Sequence, residues 1–197
     1  MYMVTEAQRI IRIPPEHLGE DINAIVGGLA SEQFEGMLLE DRSISVLVLR
    51  DTMEPEGDGR IVHGDGAVYQ AVKFKQLVFQ PRDNEVVEGT VRDVTNFGAF
   101  VTFGPLDGLI HISQIMDERV DIDSANGRLV GKESGRTLSV GDHVRARIVS
   151  IDFNEKHVED SRIGLTMRQP GLGRLEWIDE DERKRNSGNS KKKGGDE

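Results

Sequence analysis

The sequence predicts an α+β chain dominated by β structure: a small antiparallel sheet covered by one helix, followed by a five-stranded barrel. Three observations carry this. From residue 67 to 79, period-two alternation puts Val68, Val72, Phe74 and Val78 on one face and Lys73 and Lys75 on the other. Ile22, Ile25, Val26 and Leu29 recur at the spacing of a helix stripe that packs on a sheet. Residues 88–113, EGTVRDVTNFGAFVTFGPLDGLIHIS, read as three short strands joined by glycine turns.

The first unit, residues 1–81, opens with a strand over 3–13, stopped by Pro14-Pro15, which also favour a helical first turn. The helix contains Gly27-Gly28, which weaken it by about 1 kcal/mol each relative to alanine. Close helix–sheet contact is the expected gain, and Gly36 is the expected stop. Residues 43–50, SISVLVLR, form a nearly continuous apolar strand, which implies burial on both faces or at an interface. An acidic turn over 54–59 follows, and residues 60–66 join the two strands. That joining loop has two readings: glycines that turn Ile61 and Val62 outward as an apolar anchor, or an ordinary hairpin tip. His63 and Asp65 are too few to bind a metal.

The second unit, residues 82–178, begins with strands over 86–95 and 99–103, broken by Asn96 and Gly98. Gly104-Pro105 and Asp107-Gly108 are turn signals before a third strand at 109–112. Such a meander begins a small OB-type barrel, a fold that binds single-stranded nucleic acid by stacking bases on surface aromatics. Alternation exposes Phe100, with Phe97 beside it and His111 ending the third strand. Residues 116–137 interrupt the barrel as a charged helix or loop; Asp117, Glu118, Asp121 and Asp123 lack the glycine-punctuated spacing of a calcium loop. Arg92, Arg145, Arg147 and Arg168 are the candidates for phosphate contact. The tail, 179–197, is charged and poor in apolar residues, predicting disorder, with Lys191, Lys192 and Lys193 as a solvated run.

Composition excludes several classes. There is no cysteine, hence no disulfide framework and no thiolate site. No secretory signal or membrane-length apolar run is visible, which predicts a soluble, cytoplasmic protein. The net charge is −10, divided as −6 over 1–81, −4 over 82–178 and zero over the tail. Arginines number 17 against 8 lysines, which fits either adaptation to concentrated salt or an ordinary acidic protein. In both cases attraction of RNA has to be local. There is no nucleophile elbow, no phosphate loop ending in Lys-Ser/Thr and no paired-carboxylate motif, so no catalytic residues, cofactor or metal site are expected.

Gly89, Val91, Val94, Phe97, Gly98, Ala99, Phe100, Val101, Gly108, Leu109, His111 and Ser113 stand in the order of the RNA-binding repeat named after ribosomal protein S-one, which this segment resembles. In that repeat the matching histidine lies on the RNA-binding face, and residues 138–152 and 162–168 resemble its fourth strand with its entry turn and its closing strand. Together with RIIRIPP, RIVHGDGAVYQ, VVEGTV and TMRQPGLGRLEWI, residues 1–178 resemble the E-prime family of stalk proteins of archaeal DNA-directed RNA polymerase, counterpart of the seventh-largest subunit of eukaryotic polymerase II. The resemblance implies an RNP-like tip domain at 1–81, an RNA-binding barrel at 82–178, and heterodimer formation with the polymerase's F-subunit. It implies docking of the tip on the polymerase core near the clamp through Ile61, Val62, His63, Gly64, Asp65 and Gly66, and contact of the barrel with nascent single-stranded RNA. The family's barrel is usually more basic, and its chains often stop before the tail. A free-standing RNA-binding factor in translation or RNA decay is the alternative use of the same barrel.

Overall fold

The computed structural model describes residues 1–123, 127–154, 158 and 161–192, with side chains through 185. The chain divides into two compact units, Met1–Pro81 and Arg82–Glu197. The first comprises β1 (Tyr2–Ile13), a short 3-10 turn (Pro15–His17), α1 (Ile22–Phe34), β2 (Ile44–Ile61) and β3 (Val68–Phe79). β3 lies between β1 and β2, antiparallel to both. Asp21 caps α1 by accepting the Asn23 N–H at 3.1 Å, and Gly36 follows the helix with φ of 80°. The sheet turns Ile11, Ile13, Val48, Val72 and Phe74 toward Val26 and Ala30 of α1, and Phe34 stacks on Phe74 at 5.7 Å. Gly27 lets helix and sheet meet, since an added Cβ would sit 3.2 Å from the Arg50 side chain; Gly28 faces open space.

β2 differs from expectation. In place of an acidic turn at 54–59, the strand runs on to Ile61 through register shifts at 49–54 and 56–60. As an edge strand it tolerates Pro55, whose missing N–H costs no ladder bond on its free side. A side chain of β3 serves carbonyls at the irregularity. The buried Gln70 amide donates to Glu56 O at 3.0 Å, Gly57 O at 3.2 Å and Ala71 O at 3.0 Å. Nor is the apolar start of β2 buried on both faces: Ile44, Ser45 and Val48 are buried, whereas Leu47 is 46% exposed.

The second unit is a closed barrel of β4 (Val86–Thr95), β5 (Gly98–Phe103), β6 (Leu106–His111), β10 (His143–Asp152) and β11 (Arg162–Thr166). Val91, Ala99, Val101, Ile110, Val144, Ala146, Ile148, Ile163 and Leu165 fill it. Asp107-Gly108 lie inside β6, so the turn is Gly104-Pro105 alone. At Gly108, β6 lies against the Leu165 side chain of its parallel neighbour β11. The insertion is neither helix nor loop: β7 (Val120–Asp123), β8 (Arg128–Gly131) and β9 (Thr137–Ser139) form an antiparallel meander. Its acidic residues are used as struts: Asp121 pairs with Lys132 at 2.9 Å and Asp123 with Arg128 at 2.8 Å. Glu118 accepts the Ser134 N–H at 2.9 Å and also its hydroxyl, bonds that hold its carboxyl below the usual range.

β12 (Gly173–Arg174) pairs with β10 and leads into α2 (Leu175–Lys192). This helix takes in most of the segment whose composition predicts disorder. Its first turn is anchored by Trp177 and Ile178, both buried, and by Arg136, which bonds Asp181 at 2.5 Å and lies 5.6 Å from the Trp177 ring centre. Residues 193–197, including Lys193, lie outside the described residues, as do the side chains of Lys191 and Lys192. No described helix is long and apolar enough to cross a membrane.

A Cβ at Gly108 would stand 2.6 Å from Leu165 Cδ1 and 2.8 Å from its Cγ. Gly108→Ala is expected to destabilise the barrel by about 1–3 kcal/mol in chemical denaturation. An unchanged midpoint would contradict this reading of how the barrel closes.

Candidate nucleic-acid interface

β4 and β5 join through Asn96-Phe97, and Gly98 opens β5 directly across from His111 of β6. Gly98 has φ of 154°, and a Cβ there would lie 2.0 Å from Ile110 O. Only glycine lets the turn press against β6 this closely. The turn is pinned by Ile112 N–H donating to Phe97 O at 2.8 Å and the Thr95 hydroxyl donating to Gly98 O at 3.1 Å. With Ala99 and Val101 pointing into the barrel, Phe100 points out and meets Phe97 edge to face, ring centres 5.9 Å apart. Phe97 is 49% exposed.

These rings and His111 line an open groove of about 1000 Å³ that continues over Leu109, Val149, Arg162 and Ile163. His111 is oriented by its neighbour Ser113, whose backbone N–H donates to Nδ1 at 3.3 Å while its hydroxyl lies 2.8 Å from the same nitrogen. An amide N–H only donates, so Nδ1 accepts and the neutral ring carries its proton on Nε2. The groove therefore combines two aromatic faces with a fixed hydrogen-bond donor.

Of the four arginines predicted to touch phosphate, the groove gathers one. Arg92 is the extra residue at a register shift between Val91 and Asp93, and it ion-pairs across β5 with Asp107, which also accepts the Thr102 hydroxyl at 2.5 Å. Arg145 is tied to its cross-strand partner Glu88 at 2.8 Å. Arg147 is half-buried on β10, its Nε making no hydrogen bond among the described residues. Arg168 bonds Asp117 at 2.8 Å and Ser113 O at 3.3 Å, in a separate recess of about 500 Å³ beside Trp177. Sequence reasoning missed Arg162 and Asp152, cross-strand partners at the groove's rim. The signal was available: Ile163 and Leu165 point inward, so Arg162 points out. Among described residues the groove holds Asp93, Asp107 and Asp152 against Arg92 and Arg162. It offers stacking and directed hydrogen bonds more than positive charge.

In the first unit, Ile61 is 71% and Val62 49% exposed, and His63, Gly64 and Gly66 are exposed with them. Asp65 is turned inward. Its carboxylate takes Arg12 Nη2 at 2.7 Å, Arg12 Nε at 3.0 Å and the Tyr69 hydroxyl at 2.6 Å. The Arg12 hydrogen bond, then that of Tyr69, holds its carboxyl down at about 2, and Asp65 in turn raises the Tyr69 phenol. Among described residues no group of three His, Cys, Asp or Glu side chains is arranged to hold a metal.

A closed barrel with paired surface aromatics and a fixed histidine defines a nucleic-acid-binding module, and the S1 RNA binding domain model matches residues 80–162. The likeness to whole proteins runs further. The chain is 39% identical over 181 residues to DNA-directed RNA polymerase subunit Rpo7 of Sulfolobus acidocaldarius, covering 92% of this chain and 97% of that one. It is 40% identical over 178 residues to the Rpo7 subunit of Saccharolobus solfataricus, covering 90% and 97%. Ribonuclease R of Escherichia coli matches at 31% over 112 residues, which is 56% of this chain and 13% of that enzyme. The chain belongs to the Rpo7 family of RNA polymerase subunits.

The Asp65 shift has a definite sign. A carboxylate lowered from 3.8 to about 2 stabilises the folded state fully above the unfolded value and loses that contribution as pH falls through the folded one. The difference in thermal midpoint between the parent chain and Asp65→Asn is therefore expected to be constant above about pH 5 and to close as pH falls from 3.8 toward 2. A difference that widens on acidification would contradict the arrangement.

Proposed function

We propose that this chain is a non-catalytic stalk component of RNA polymerase, built to hold nascent single-stranded RNA in the barrel groove while the first unit attaches it to the enzyme. The observation that carries this is the relationship to polymerase subunits over 97% of their length, both units included. A free-standing factor built on the same barrel would share only the second unit, and the ribonuclease match spans no more than 56% of this chain.

The partner we assign is the polymerase's F-subunit. The sheet face away from α1 carries an apolar row, Val4, Leu77 and Leu47, aligned across all three strands. Val4 is 59% exposed, and Tyr2 continues the patch at the edge. A permanent partner would cover this row, which otherwise stands open to water. Core docking falls to Ile61 and Val62, the most projecting apolar pair of the 60–66 segment. Ile61→Asp with Val62→Asp is expected to leave that heterodimer intact and to abolish co-purification with polymerase, because a buried unpaired charge costs several kcal/mol. Normal association of the double variant, or recovery of the tagged parent chain with ribosomes or a decay complex, would count against this assignment.

RNA is held mainly by stacking. The chain's net charge is −10 and the groove's carboxylates outnumber its guanidiniums, so long-range attraction and counterion release contribute little. Stacking is worth roughly 1–3 kcal/mol per base and survives salt, whereas at 1 M the Debye length is about 3 Å. Binding of single-stranded RNA, measured from low to molar salt, is expected to show a shallow slope. Phe97→Ala and Phe100→Ala should lose more affinity at high salt than Arg145→Ala or Arg147→Ala. A steep slope with arginine losses dominating throughout would identify an electrostatic binder instead.

A further inference from the structure

We infer that Arg12, Asp65 and Tyr69 form a clamp that fixes the shape of the 62–66 loop before docking, so that they act as positioning residues for assembly. The inference rests on the docking reading above and deepens it. Left to itself the loop is pliable: Gly64 and Gly66 have φ of 95° and 71°, and the backbone bond within it is Asp65 N–H to Val62 O at 3.2 Å. Asp65 supplies what the backbone lacks. Arg12 grips its carboxylate with two nitrogens, and the Tyr69 hydroxyl adds a third bond.

The grip is itself anchored. Arg12 faces Tyr69 across the β1–β3 ladder. β1 is an edge strand, yet the Gln33 side chain of α1 meets both backbone groups of Arg12, accepting its N–H at 3.3 Å and donating to its carbonyl at 3.0 Å. Helix, edge strand and central strand thus converge on one loop carboxylate. The same loop holds Val62 and the adjoining Ile61 out in water, where apolar side chains gain nothing until a partner covers them. Asp65, its oxygens already engaged, is poorly placed to contact a partner. It acts through the loop.

A loop that must be in one shape to bind reports its pre-ordering in the association rate, whereas a lost contact reports in the dissociation rate. The test uses the full chain paired with its heterodimer partner, binding to polymerase that lacks both. If Asp65→Asn leaves the loop competent about a tenth of the time, its apparent dissociation constant rises about tenfold. That rise should lie in a slower association rate with dissociation unchanged. Hydrogen exchange at the amides of residues 63–66 should quicken while that of the buried β3 amides at Val72 and Phe74 does not, and Tyr69→Phe should give a smaller change in the same direction. Parent-like association by Asp65→Asn, or a loss confined to dissociation without faster exchange, would overturn the inference. If Ile61→Asp with Val62→Asp also binds normally, the docking reading falls and the clamp's role falls with it; if that double variant fails to bind while Asp65→Asn binds normally, the inference alone falls.

Discussion

The aromatic groove of the barrel depends on the close approach at Gly98. The space a side chain would need is occupied by the Ile110 carbonyl, 2.0 Å from where a Cβ would sit. Because nothing intervenes, the β4–β5 turn lies down on the end of β6, and Phe97, Phe100 and His111, from three different places in the chain, face one groove. The hydrogen bond from Ile112 N–H to Phe97 O holds the turn there, and Ser113 then sets the tautomer of the histidine. Geometry of this kind matters when stacking is the main source of affinity, since two rings add only if both can meet the same strand.

Electrostatics impose the complementary limit. An acidic chain repels RNA at long range, and the local exceptions are largely neutralised: Arg92 by Asp107, Arg145 by Glu88, Arg168 by Asp117. Arg162 differs: it makes no ion pair among the described residues, although Asp152 stands opposite it on the ladder. Among its described residues the second unit thus commits these arginines to its own architecture, and the inserted meander does the same with Lys132 and Arg128. The first unit repeats the pattern in Arg12 and Asp65. Ion pairs here organise loops and strand ends, and the proposed contacts with RNA and polymerase fall to apolar and aromatic surface.

Much of this is legible in the sequence. β1, α1, β3 and the first barrel strands declare themselves by periodicity, because each buries one face and exposes the other. β2 reads as a shorter strand than it is because Pro55, Gly57 and Gly59 are turn residues by chemistry, and only a free edge and the Gln70 amide make them acceptable within a strand. The meander at 120–139 is hidden because its strands are three or four residues long, and their charged side chains pair across strands, a relation that local pattern does not reveal. α2 is masked because the charge-rich run from residue 179 gives no sign that its helix starts upstream at Leu175, where Trp177 and Ile178 anchor it. At the site, alternation identifies outward residues but not which outer surface each joins. That is why Phe97, Phe100, His111 and Arg92 meet, while Arg145, Arg147 and Arg168 lie elsewhere and Arg162 is overlooked.

We propose that RNA lies in the groove built around Gly98. Photocrosslinking of single-stranded RNA to the full chain, followed by peptide mapping, tests it most directly. Crosslinks are expected to concentrate on residues 92–114, at Phe97, Phe100 and His111 above all, and to persist at molar salt. Crosslinks concentrated instead on the peptides carrying Arg145 and Arg147, or on the recess around Arg168 and Trp177, and vanishing as salt rises, would contradict it.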